Sequence, residues 1–336
     1  MKYTIRLSIL LYVLSVLASN TASAALVLPN PTLNAYTYGN FYSYSLPILA
    51  FKYNVAHSVG TGPGNPYYID SSAGQIKDNI VVMTGASGNP VNTNFANMDD
   101  AFPASAPSTP TFSMTNTNEP TPTFTGDRVG SWDSTLQAFK SYLTINNQQY
   151  SPIFLFNNNQ INSGDASNQN LHAWGQIWFE DTSGANPNLI YDFTNTPAGG
   201  APGGDPTVYH DQFGINGIPT VDDYVLSGGA LHVDDAGNVI PSGGTTLNHN
   251  LGANQAAYAL ASLQIDDFLV SAISNEYDAI HIRLYMTDLN NGYEQLFILP
   301  GTVEGTAATP EPGTMLLMGL GALGAAVSRR RMRKAS

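Results

Sequence analysis

Carboxylates are the most numerous groups in this 336-residue chain that could do chemistry. Five acidic doublets stand out: Asp99-Asp100, Glu180-Asp181, Asp222-Asp223, Asp234-Asp235 and Asp266-Asp267. Sugar hydrolysis needs two carboxyl groups flanking one glycosidic bond, and Trp174 and Trp178 are side chains of the kind that line sugar sites. Adjacent residues on a strand point to opposite faces, so no single doublet makes such a pair. A secreted carbohydrate-active enzyme would have to draw its two acids from different segments. Solvated turns are the other reading of the doublets.

Asp234-Asp235-Ala236-Gly237-Asn238 has two readings. One is a calcium loop using Asp234, Asp235 and Asn238, because calcium takes several hard oxygen ligands on a flexible turn. That reading would make the body a calcium-dependent, lectin-like module. The other is a plain hairpin turn, since the segment lacks a full alternating acidic pattern and a distal Glu. No other metal or cofactor is expected. The six histidines, His57, His172, His210, His232, His249 and His281, include no pair at helical metal-ligand spacing and no His-Glu-x-x-His. Gly85-Ala86-Ser87-Gly88 lacks the spacing of a serine nucleophile elbow. No glycine-rich phosphate loop follows a strand and opens a helix. No catalytic residue is assigned, and the expectation is a protein that is not an enzyme. The amide cluster Asn157, Asn158, Asn159, Gln160 and Asn162 either binds sugar hydroxyls or closes its own turn. Tyr36, Tyr38, Tyr42 and Tyr44 share a period-two face that either stacks on sugars or packs between strands.

The elements that would carry these groups are mainly strands. Ile76 to Met83, Ile153 to Phe156, Leu171 to Glu180, Leu189 to Phe193, Val221 to Leu226, Ala230 to Val233 and Asn238 to Ile240 read as strands. In the third of these, Trp174, Gln176, Trp178 and Glu180 stand opposite Ile177 and Phe179. Asp278 to Met286 alternates cleanly, with His281, Arg283 and Tyr285 on its polar face. Asn290-Asn291-Gly292 is expected to turn it into a hairpin with Tyr293 to Leu299. Trp132 to Leu143, capped by Asp133 or Ser134, and Gln255 to Ile273 are the expected helices. Residues 103–125, rich in Pro, Thr and Ser, read as a long exposed loop. The fold class is therefore mainly β: an antiparallel, sandwich-like domain with one or two packed helices.

Both ends carry addresses. Lys2 and Arg6 precede an apolar run from Leu7 to Leu17 and the small-residue pattern Ala22-Ser23-Ala24. This is the order of a secretory signal peptide over 1–24, cleaved after Ala24 by signal peptidase; an uncleaved anchor is the alternative. At the other end, Pro310, Glu311 and Pro312 precede an apolar run over 314–327. A basic tail over 328–336 follows, with Arg329, Arg330, Arg331, Arg333 and Lys334. The prolines break any helix before the run, and the arginines hold the end on the cytoplasmic side of a membrane. The run is shorter than the usual span, which fits transient insertion in the inner membrane.

Setting these ends aside changes the charge balance. The segment 25–312 keeps Lys52, Lys77, Arg128, Lys140 and Arg283 against all 25 acidic residues, a net charge of −20. Nucleic acid, whose phosphates need cationic partners, is excluded as a ligand. There is no cysteine, hence no disulfide, thiolate metal site or thiol nucleophile.

The last 28 residues resemble the PEP-CTERM sorting signal: Pro-Glu-Pro, Gly313, a Gly/Leu-rich apolar segment and a terminal arginine cluster. The body is similar to uncharacterised PEP-CTERM proteins through Thr125-Gly126-Asp127 to Trp132-Asp133, through Phe154 to Gln160 with Asn162-Ser163-Gly164, and through Ala173-Trp174-Gly175-Gln176. The resemblance implies sorting by exosortase, a membrane-embedded cysteine protease, with cutting near Pro310-Glu311-Pro312. It implies a cell-surface or extracellular protein of Gram-negative bacteria, associated with exopolysaccharide and biofilm matrix. The expected organisation is a signal peptide over 1–24, a secreted mainly-β domain over 25–305 and a sorting signal with a transmembrane helix over 306–336. The expected role is structural or adhesive.

Overall fold

The computed structural model describes residues 25–85, 93–104, 111–118, 120, 124, 126–159, 172–193, 230–287, 289 and 294–305. In chain order the strands are β1 (Leu26–Leu28), β2 (Tyr36–Tyr38), β3 (Phe41–Ser45), β4 (Ile80–Thr84), β5 (Phe102–Pro103), β6 (Phe112–Ser113), β7 (Trp132–Thr135), β8 (Thr144–Ile145), β9 (Gln148–Gln149), β10 (Ser151–Asn157), β11 (His172–Glu180), β12 (Leu189–Asp192), β13 (Ala230–Val233), β14 (Val239–Ile240), β15 (Thr245–Asn248), β16 (Tyr258–Ala261), β17 (Ala279–Thr287) and β18 (Gln295–Val303). The longer helices are α1 (Leu46–His57), α2 (Leu136–Tyr142) and α3 (Leu263–Val270). The protein is mainly β, with several largely antiparallel sheets and few helices.

The largest sheet runs β2-β3-β16-β10-β18-β4-β5, with β1 also paired to β18. The second runs β12-β11-β17-β6, with β7 also on β17. Both sheets feed one apolar core. Phe154, Phe156, Leu296 and Ile298 come from the first, and Ile177, Phe179, Ile280 and Ile282 from the second. Phe193, just after β12, ties them together: its ring packs at 4.4 Å on Phe41 and at 6.0 Å on Phe154, both edge-on, the preferred geometry of aromatic pairs. The other face of the large sheet is covered in turn. Leu155 and Phe297 pack there with Leu46, Leu49, Leu26 and Leu28.

This second layer explains why the hairpin expected between Asp278–Met286 and Tyr293–Leu299 does not form. β17 has its edges taken by β11 and by β6 and β7, while β18 pairs with β10, β4 and β1 in the other sheet. Leu296, Phe297 and Ile298 are all buried. A continuous apolar run marks a strand covered on both faces, whereas β17 has one polar face.

Three other expectations are corrected. Trp132 to Thr135 is strand, and α2 begins only at Leu136, capped by the Thr135 hydroxyl, which accepts from Ala138 N at 3.3 Å. Gln255 to Ile273 divides into β16, α3 capped by Ser262, and a 3-10 turn; alternating burial of Leu260 and Ala261 against two core layers takes the first part into the sheet. Within 103–125, Phe112 and Met114 are buried in the shared core, so that stretch is anchored by these two apolar residues. The aromatic stretch after Leu26 contains a helix as well as strands: Ser45 caps α1 through Ile48 N at 3.2 Å, and Pro47 stands in the first turn, where a missing N–H costs nothing.

No described helix is long and apolar enough to cross a membrane. Ala22 and Ala24, Pro310, Glu311 and Pro312, the 314–327 run, the basic cluster Arg329 to Lys334, and Val221 to Leu226 lie outside the described residues.

Candidate functional site

The polar face of the second sheet holds a buried cluster of opposite charges. Its positions follow from register. Asp133 on β7 lies opposite His281 on β17, which in turn lies opposite Trp178 on β11. Period-two alternation puts Ile280 and Ile282 into the core, so His281 and Arg283 face outward. The loop 126–131 then folds over this face. Gly130 takes a left-handed φ of 84°, and a Cβ there would sit 3.1 Å from Thr115 Cα, so glycine allows the loop to lie down. Arg283 Nε donates to Gly130 O at 3.0 Å, and its guanidinium carbon stands 5.2 Å from the centre of the Trp178 ring, a cation–π distance.

His281 is fully buried, and its ring stacks on Trp178 at 4.8 Å. Its Nδ1 donates to Asp133 Oδ1 at 2.8 Å, and Nε2 stands 3.3 Å from Glu180 Oε2. Asp133 is an acceptor when ionised, which fixes the Nδ1–H tautomer. Burial is the main force lowering the His281 pKa, from 6.5 to about 4; Arg128 and Arg283 push the same way, against Glu180 and Asp127. Arg128 clamps Glu180 through both Nε (3.0 Å, to Oε2) and Nη2 (to Oε1), a bidentate pair. Its backbone N–H donates to Asp133 Oδ2. Asp133 N in turn donates to Asp99 Oδ2 at 2.7 Å, and Trp132 Nε1 to Asp99 O at 3.1 Å.

The arrangement has half of an acid–base device, a histidine oriented by a carboxylate. The hydroxyls of the same segment point elsewhere: Ser131 Oγ donates to Arg128 O and Ser134 Oγ to Thr135 O. What the cluster does physically is fasten the loop 126–131 and the residues around Asp99 to three strands. Asp99, Asp127 and Asp133 also bring carboxylate oxygens within 4.8 Å of one another, a separation that suits a hard divalent cation. Asp99 Oδ2 and both oxygens of Asp133 already accept bonds from the protein, so a cation there would compete with those donors.

The other sequence candidates are placed apart from this cluster. Asp234 accepts from Ala236 N, Asn238 N and Asn238 Nδ2 at 2.8 to 2.9 Å, an Asx-type turn; these bonds hold its pKa below the usual carboxylate value. Asp235 is exposed. The doublet Glu180-Asp181 splits as strand geometry requires: Glu180 joins the cluster, and Asp181 accepts from Ser183 and Asn186 in the following turn. Asn157 is buried, donating to Ser71 Oγ at 2.7 Å and Gln295 Oε1 at 3.1 Å, so its amide serves the interior. Of the tyrosine row, Tyr38 and Tyr44 are buried, while Tyr36 is exposed. His57 and His249 stack separately on Tyr53 and Tyr258. Asp222-Asp223, His210, Gln160 and Asn162 lie outside the described residues.

Sequence reasoning missed the pairing of Asp133 with His281. The signal for it was present: two of the five basic residues of the body, Arg128 and Arg283, lie near these positions, and Arg283 shares the polar face of its strand with His281.

Comparison with known families agrees with this division between body and tail. The family model described as Domain of unknown function (DUF8239) matches residues 26–285, and the model described as PEP-CTERM protein-sorting motif matches residues 308–331. No curated protein and no solved structure matches the chain.

Proposed function

The chain belongs to the DUF8239 family, a domain of unknown function, and carries a C-terminal PEP-CTERM motif; from this premise we propose a structural or adhesive protein of the extracellular polysaccharide matrix, without enzymatic activity. The motif itself implies export and exosortase sorting, with membrane-associated delivery to the cell surface. That motif is the observation that carries the reading. The finer steps are ours. Signal peptidase removes 1–24. The 314–327 segment inserts transiently in the inner membrane of a Gram-negative cell. Exosortase cuts near Pro310-Glu311-Pro312. A sandwich-like body over 25–305 then reaches the surface and contributes to biofilm.

Two properties support the matrix role. A body with a net charge of −20 repels itself and stays soluble outside the cell. The buried Asp133–His281–Glu180–Arg128 cluster ties a loop to a sheet, which suits a structural part.

Co-sedimentation of the secreted protein with purified host exopolysaccharide tests the proposal. The protein is expected in the polysaccharide pellet, in proportion to polysaccharide added. A protein that stays in the supernatant at every polysaccharide concentration would sink the matrix role.

A further inference from the structure

We propose that the groove between α2 and the 3-10 turn at Ala272–Glu276 binds a carboxylate-bearing saccharide; the inference rests on the polysaccharide reading above and names the site. The groove has a volume of about 560 Å³, within the range of small-ligand sites. Its construction follows from helix geometry. Leu136, Phe139 and Leu143 turn into the core, which leaves Gln137, Lys140 and Ser141 (spaced i, i+3, i+4) on the outer face. The β8–β9 hairpin adds Thr144 and Gln149, and the 3-10 turn adds Asn275, with Tyr277 closing the wall. The Tyr277 hydroxyl donates to Pro187 O at 3.1 Å, so that ring is fixed in place.

Charge selects the ligand class. The body has 25 acidic residues against five basic ones, yet no acid lines this groove and one lysine does. Lys140 Nζ donates to Ser274 Oγ at 2.9 Å. An ammonium has three donors, so two remain for a ligand. Lys140 has no carboxylate in ion-pair range among the described residues, unlike Lys77, Arg128 and His281. Gln137, Gln149 and Asn275 each offer a donor and an acceptor, the complement of neighbouring sugar hydroxyls. A polyphosphate would call for several cations. One ammonium among three amides fits one carboxylate among hydroxyls, which is a uronate-type ring. Of the acids flanking Tyr277, Glu276 and Asp278 stay outside the lining, and Asp278 accepts from Thr182 N at 3.0 Å.

The test is titration calorimetry of the protein as secreted, in calcium-free buffer, with alginate as the polyuronate and dextran as the neutral control. Alginate is expected to bind and dextran to bind at least about tenfold more weakly, the worth of one charge-assisted hydrogen bond. Lys140→Gln should lose about tenfold in alginate affinity with an unchanged melting temperature, and Asn275→Asp should do the same by placing an acid in the lining. Equal binding of alginate and dextran, no alginate binding, or full affinity in both variants would each overturn the groove assignment. A parallel titration with host exopolysaccharide separates the two readings. Binding there without an effect of Lys140→Gln removes the groove alone; absence of binding there removes the matrix reading as well.

Discussion

The His281 imidazole donates from Nδ1 to Asp133 Oδ1 at 2.8 Å, and both side chains are fully excluded from solvent. A neutral histidine is the form that this site stabilises. Burial lowers its pKa from 6.5 to about 4. At pH between these values the unfolded chain binds a proton that the fold refuses. The contribution is therefore complete above pH 6.5 and is lost as pH falls towards 4, by about 3 kcal/mol over the whole window. Chemical denaturation of the wild type and His281→Gln should show a stability difference that shrinks over that interval. A difference independent of pH there would contradict the neutral assignment.

The same histidine should respond with opposite signs to its two neighbours. Arg128 lowers the His281 pKa and Glu180 raises it. In Arg128→Met the Glu180 carboxylate is left unmatched and favours the imidazolium, so the pKa measured by NMR titration should rise. In Glu180→Gln it should fall further. Shifts of the same sign in both variants would show that Arg128 and Glu180 do not act on His281 through charge.

Glu294 carries the reverse dependence. It lies just before β18 and is 1 % exposed. Burial raises its pKa from 4.5 to about 7, against a smaller opposing effect of the Glu294 and Asn159 backbone amides. The fold keeps a proton that the unfolded chain sheds above pH 4.5, so stability is lost as pH rises to 7. Glu294→Gln mimics the protonated form. It should match the wild type at pH 4 and exceed it by about 2–3 kcal/mol above pH 7. A variant no more stable than wild type above pH 7 would refute the assignment.

Gly175 is needed for space rather than for turning. A Cβ there would lie 2.2 Å from Phe193 Cδ2 and 3.1 Å from Arg283 O. Phe193 is the ring that joins the two sheets, so it has little room to retreat. Gly175→Ala should lower stability by about 1–3 kcal/mol, the usual cost of overpacking, read as a lower melting temperature. An unchanged melting temperature would show that Phe193 moves freely.

Much of this architecture was legible from side-chain alternation. The outward set Gln176, Trp178 and Glu180, and the facing set His281 and Arg283, were readable on their strands before any contact was known. Their chemistry was not, because Asp133 reaches His281 across 148 residues of sequence. Asp133, before Leu136 and Phe139, carries the local signature of a helix cap, but the Thr135 hydroxyl fills that role instead. The Asn290-Asn291-Gly292 turn signal misled for a related reason. Turn chemistry is local, but the choice of sheet for β18 was set by apolar residues on both of its faces. The sorting motif needed no tertiary information, since its recognition lies in the linear order Pro-Glu-Pro, apolar run and arginines.

Intact-mass and C-terminal peptide spectrometry of the surface-associated protein tests the central claim, with host cells that contain or lack exosortase. The account predicts that cells with the enzyme present a chain ending near Pro310-Glu311-Pro312, without the apolar run and Arg329 to Lys334, and that cells lacking it retain the uncut tail. A surface protein that extends intact to Ser336 in cells with active exosortase would contradict the account.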